Sequence, residues 1–137
     1  MKVLVNGLGI RDSGGLAVLE KLLKECLEVD SGNKFIFILT NSPVMSSLAK
    51  NYENFDVFEF KLLKDKGYIY RLYVENREFK KIVSQCGIDL IYNFTGTRQL
   101  FTNTPQLIKI HNLLFFSKKL DSLYKSKYQY ILWFKHI

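Results

Sequence analysis

The sequence predicts an α/β domain, a Rossmann-like and mostly parallel sheet flanked by helices. Three observations predict it. Short apolar runs, Val3-Leu4-Val5 and Phe35-Ile36-Phe37-Ile38-Leu39, read as strands buried on both faces. Between them Leu16, Leu19, Leu22, Leu23, Cys26 and Leu27 recur at helical spacing. The alternation then repeats as β-α-β-α-β-α-β-loop-β-α, an order that calls for right-handed crossovers and strands running the same way.

Taken in order, the first strand ends in Asn6-Gly7, and a loop over 8–15 leads to the first helix. The apolar stripe of that helix is opposed by Glu20, Lys21, Lys24, Glu25 and Glu28, and Asp30-Ser31-Gly32-Asn33 stops it before the second strand. Asn41-Ser42-Pro43 opens a short helix through about Lys50, with Ser42 as cap and proline in the first turn. Phe55-Asp56-Val57-Phe58-Glu59-Phe60 alternates apolar and acidic residues, the period of a strand half open to water at a sheet edge. Tyr68, Leu72, Phe79, Ile82 and Val83 mark a long helix. Residues 89–93 and 106–111 supply a fourth and a fifth strand, and a last helix runs from about Leu120 to the end.

A chain of 137 residues holds one core rather than a two-domain enzyme, so residues 1–137 are expected to form a single domain. Apolar residues at 47% and charged residues at 24% exclude disorder. Twenty Lys and Arg against 13 Asp and Glu give +7, which favours acidic partners such as phosphates, nucleic acid or an anionic membrane surface, and charge alone does not choose among them. No nucleic-acid partner is expected. The basic residues gather at Lys61, Lys64, Lys66, Arg71, Arg77, Lys80 and Lys81, then at Lys118, Lys119, Lys125 and Lys127, and read as two solvated helix faces. Cys26 and Cys86 fall inside apolar helical patterns and read as small buried hydrophobes of a reducing compartment; no metal spacing is present. The apolar run at the start is too short for a signal peptide or a membrane span. The expected location is therefore cytoplasmic, with the inner membrane face as a peripheral site. Asn93-Phe94-Thr95 matches a glycosylation sequon that has no use without secretion.

In such sheets ligands sit beyond the carboxyl ends of the strands, beside the switch in strand order. Asn6-Gly7-Leu8-Gly9-Ile10-Arg11-Asp12-Ser13-Gly14-Gly15 joins the first strand to the first helix at that place. Its glycines let backbone N–H groups approach an anion, the helix N-terminus adds partial positive charge, and Arg11 offers a bidentate contact. The same segment also reads as a glycine-rich turn with Ser13 as helix cap. Neither nucleotide fingerprint fits. G-x-G-x-x-G counted from Gly7 meets Asp12 where a third glycine belongs, and no ribose-binding acid follows the second strand. G-x-x-x-x-G counted from Gly9 reaches Gly14, but Gly15-Leu16 stand where a P-loop has Lys and Ser/Thr. A receiver-type domain lacks support as well, since Asn6-Gly7 replaces the acidic cluster that would hold a cation.

His111 falls at the expected end of the fifth strand, where an imidazole can donate or accept near neutral pH; holding the next loop is its structural alternative. Asn93-Phe94-Thr95-Gly96-Thr97-Arg98 follows the fourth strand and brings hydroxyls and a cation to the same rim, as acceptor contacts or as a plain surface loop.

Gly14-Gly15 at a helix start, the Asp89-Leu90-Ile91-Tyr92 strand and Pro105-Gln106-Leu107-Ile108-Lys109-Ile110-His111-Asn112, in this order, resemble the N-terminal, acceptor-side half of retaining GT-B glycosyltransferases of the E-x7-E family, the group 1 or family 4 glycosyl transferases. The resemblance implies that Gly14 and Gly15 approach the diphosphate of a nucleotide-sugar donor, UDP- or GDP-linked, and that His111 lies near the transferred sugar as the catalytic candidate. Arg11 joins the donor candidates, while Thr95, Arg98 and Asn112 are the acceptor candidates. Asn112 stands where family members often carry aspartate. The E-x7-E pair belongs to a C-terminal nucleotide-sugar-binding domain that this chain does not supply, so the expected role is half of a sugar-transfer enzyme acting on a saccharide or lipid-linked acceptor, incomplete alone. The apolar Ile131-Leu132-Trp133-Phe134 so close to the end reads as a truncated helix. The alternative is a non-catalytic module that binds a nucleotide or another anion. No cofactor and no metal are expected.

Overall fold

Residues 1–11, 13–29, 32–64, 66–94, 98–100 and 102–109 are described by a computed structural model of the chain. Five strands form one sheet: β1 (Lys2–Gly7), β2 (Lys34–Thr40), β3 (Phe58–Leu63), β4 (Leu90–Asn93) and β5 (Gln106–Ile108). Three helices connect them: α1 (Ser13–Glu28), α2 (Pro43–Tyr52) and α3 (Tyr68–Cys86). The spatial order is β3-β2-β1-β4-β5 and every neighbouring pair is parallel, the doubly wound arrangement expected from the alternating pattern.

The core lies in two layers because successive strand residues point to opposite faces. Val3, Val5, Phe37, Leu39 and Phe58 face α1 and α2 and meet Leu19, Leu23, Met45 and Leu48. Leu4, Ile36, Ile38 and Ile91 face α3 and meet Val74, Phe79 and Ile82. Phe37 anchors the first layer, edge-on to Phe58 at 5.6 Å and stacked on Phe60 at 5.5 Å between ring centres. Ser42 caps α2: its backbone is extended (φ −137°, ψ 159°), and its hydroxyl accepts from Met45 N at 3.2 Å. Gly87, at φ +62°, ends α3, with Ile88 N donating back to Val83 O at 3.3 Å.

Three boundaries differ from the sequence reading. α1 begins at Ser13, so Gly14 and Gly15 belong to its first turn rather than to the loop before it. β3 does lie at the sheet edge but starts at Phe58; Phe55 to Val57 form a turn, closed by Phe58 N donating to Phe55 O at 2.9 Å. The alternating pattern extends into that turn because Phe55, though outside the strand, packs between the rings of Tyr52 and Phe58, 6.1 and 6.4 Å away. β5 ends at Ile108, and the helix expected from Leu120 lies outside the described residues. Cys26 and Cys86 are half-buried free thiols rather than fully buried ones.

Candidate functional site

The switch in strand order falls between β1 and β4, which are neighbours although two strands and three helices separate them in sequence. Beyond their carboxyl ends lie the loop from Leu8 into α1 and the segment after Asn93. These are the places where the sequence reading put its candidates.

The loop itself is largely satisfied from within. Leu8 N donates to Asn6 Oδ1 at 3.2 Å, Gly9 N to Thr40 Oγ1 at 3.1 Å and Ile10 N to Gly7 O at 3.3 Å. The backbone donors of Leu8, Gly9 and Ile10 are thus committed to the fold. The two early glycines have packing reasons: a Cβ on Gly7 would come within 2.7 Å of Leu39 Cδ2, and one on Gly9 would run into the Arg71 guanidinium. Gly9 also holds φ at +86°, a conformation that side chains disfavour. Next along the chain at this edge is the start of α1. The first N–H groups of a helix have no intrahelical acceptor and carry its positive end. Gly14 is exposed there and Gly15 half-buried, with Arg11 exposed just before them.

Beneath the loop runs a buried polar chain that the sequence reading missed. Asn6, Glu75 and Asn93 are 0%, 1% and 0% exposed. β1 and β4 run in register with Asn6 opposite Asn93, so the two amides lie side by side on the face that α3 covers. Asn6 Nδ2 donates to Glu75 Oε1 at 3.2 Å and to Asn93 Oδ1 at 3.3 Å. Arg71, one helical turn before Glu75, brings Nε within 3.6 Å of the same carboxylate oxygen and lies against the ring of Tyr68, 5.5 Å from its centre. On the other side, Asn93 Nδ2 donates to Gln106 Oε1 at 3.0 Å. Gln106 then clasps the backbone of Gln99, accepting from its N–H at 3.0 Å and donating to its carbonyl at 2.9 Å. The side-chain amide of Gln99 is buried and has no hydrogen-bond partner among the described residues.

One signal of this chain was present in the sequence. Glu75 falls seven residues after Tyr68, three after Leu72 and four before Phe79, inside the apolar stripe of the long helix. The basic cluster there is accordingly not a uniform solvated face: Arg77, Lys80 and Lys81 are exposed, but Arg71 turns inward to Glu75.

Of the predicted site residues, Arg11, Gly14 and Gly15 lie where β1 leads into α1 at the carboxyl edge of the sheet, and Arg98 is exposed on the segment that leads to Gln99. Thr95, His111 and Asn112 lie outside the described residues. Asn93 of the sequon is fully buried. Among the described residues there is no cluster of three His, Cys, Asp or Glu side chains fit for a metal, and no helix is long and apolar enough to cross a membrane. Burial pushes the Tyr92 hydroxyl above its ordinary pKa, and burial, with Glu25 adding repulsion, does the same to the Cys26 thiol. Neither group suits a nucleophile's task. No protein-family model matches the chain, and no curated protein or solved structure matches it either.

Proposed function

We propose that the carboxyl edge of the sheet, centred on the first turn of α1, binds the diphosphate of a nucleotide sugar, and that the chain is the acceptor-side half of a retaining GT-B glycosyltransferase. The observation that carries this reading is the position of Gly14 and Gly15 in the first turn of α1, next to the switch in a fully parallel sheet. A net charge of +7 favours the anionic donor. Residues without Cβ allow a phosphate to come close to backbone N–H groups. Arg11 before that turn adds charge, and Arg98 on the facing segment offers an acceptor contact together with Thr95 and Asn112. His111 remains the catalytic candidate. Transfer itself requires a second domain carrying the E-x7-E acids, with a saccharide or lipid-linked acceptor held on this half.

A second reading has its own support. The side chains at the described rim are amides, hydroxyls and guanidinium groups, and the one buried carboxylate among the described residues, Glu75, is engaged by Asn6 and Arg71. Such an edge suits binding more than bond cleavage, as in a module that holds a nucleotide without turning it over.

Titration of the purified chain with UDP and GDP, followed by amide shifts of residues 13–16, tests both readings. Saturable binding is expected, weakened about tenfold or more by Gly15→Glu, a carboxylate in place of the phosphate's approach. Equal affinity in Gly15→Glu, or shifts confined to other parts of the chain, would remove the site. In a full-length protein that carries the second domain as well, turnover of a UDP- or GDP-sugar that is lost in His111→Ala separates the enzyme from the module.

A further inference from the structure

The structure assigns Glu75 as a positioning residue for the candidate site, an inference that rests on the proposed site for its use but not for its geometry. A carboxylate 1% exposed is costly to bury unless partners hold it. A leucine at the same point of the stripe would complete the apolar layer formed by Val74, Phe79 and Ile82. The carboxylate instead reaches the two loops that flank the switch point. Through Asn6 it fixes the turn at Leu8, because the amide that donates to Glu75 also presents Oδ1 to Leu8 N. Through Arg71 it holds a guanidinium over Gly9. Through Asn6, Asn93 and Gln106 it extends to the backbone of Gln99, next to Arg98. One buried charge thereby sets the spacing between the loop that leads to Arg11 and Gly14 and the segment that bears Arg98.

Amides are well suited to this relay. Each Asn or Gln donates through nitrogen and accepts through oxygen, so turning one reverses both of its bonds and the chain has a single consistent polarity. Glu75 can only accept while ionised, which orients Asn6 Nδ2 toward it and leaves Asn6 Oδ1 for Leu8. The loop conformation follows from that orientation.

Hydrogen exchange on the full chain, read by amide NMR, tests the inference. Glu75→Gln keeps the shape of the side chain but can present a donor to Asn6, so the relay loses its fixed direction. Exchange at Leu8 and Gln99, two backbone amides bonded to relay side chains, is expected to accelerate about tenfold relative to Ile38, which lies in the α3-facing layer outside the relay. Equal acceleration at all three, the mark of global loss of stability, or no change at Leu8, would overturn the inference. Should Glu75→Gln fail to fold, Gln106→Leu at the half-buried edge strand makes the same test from the other end. There, unaltered protection and unaltered chemical shift at Leu8 would overturn it. UDP titration of the same proteins separates the inference from the reading it serves. If the wild-type chain binds no UDP, the proposed function fails while the exchange pattern still decides the relay. If it does bind, affinity about tenfold weaker in Glu75→Gln at an unchanged melting temperature is expected, and unchanged affinity would remove the positioning role.

Discussion

At the scale of single residues, the carboxyl edge is governed by groups whose neighbours leave them little choice. Gly9 combines a left-handed φ with a guanidinium packed against its Cα. Gly9→Ala is therefore expected to lower stability by about 1–3 kcal/mol, since it pairs a strained backbone with a displaced Arg71. Urea titration measures this, and a loss under about 0.5 kcal/mol would mean that the loop adopts another conformation at no cost. Cys26 and Tyr92 are both held in their neutral forms by burial. Because folding raises their pKa values, the stability they contribute is complete below the ordinary pKa and disappears as pH rises through the folded one. Thermal melts are expected to fall above about pH 9, with part of the fall removed in Cys26→Ala. Iodoacetamide should also modify Cys26 more slowly in the folded chain than in urea.

At the scale of elements, the start of α2 was the most legible feature. Ser42 and Pro43 announce the start of α2 through local chemistry alone: a hydroxyl that satisfies Met45 N, and a ring without an N–H in the first turn. Ser42→Ala is expected to cost about 1 kcal/mol. Ser42→Asp, which restores an acceptor, should recover most of it; a silent Ser42→Ala would show that α2 is held by packing of Met45 and Leu48 only. The beginning of β3 was less legible, since Phe55 keeps the strand's alternation while lying in a turn. Strand limits depend on register with the neighbour, here Phe35 opposite Phe58, and register is a property of two segments. The site was divided in the same way. Gly14, Gly15, Arg11 and Arg98 could be assigned to the rim from strand ends and helix starts, but Arg71 read as part of a solvated basic face and Glu75 drew no assignment, because their partner Asn6 lies far away in sequence.

At the scale of the molecule, both apolar layers share strands β1 to β4, so neither can melt without exposing the other. Phe37 anchors the α1–α2 layer and Phe79 the α3 layer, each 1% exposed or less. Truncating either to alanine is expected to cost about 3–5 kcal/mol and to leave one cooperative unfolding transition by far-UV circular dichroism and by tyrosine fluorescence. Separate midpoints for the two probes would divide the domain into independent layers.

The order of elements, the parallel sense of the sheet and the location of the rim were determined by the sequence itself. Period-two and period-3.6 apolar patterns are local, and a β-α-β alternation admits one handed way of packing back on a sheet. The polar interior was decided only by tertiary structure. Asn6 meets Glu75 across 69 residues and Asn93 across 87, contacts that no local periodicity encodes. They exist because parallel pairing brings the ends of β1 and β4 into register and the crossover lays α3 over them. A carboxylate that would be a solvated charge on an isolated helix becomes, there, the buried centre of the carboxyl edge.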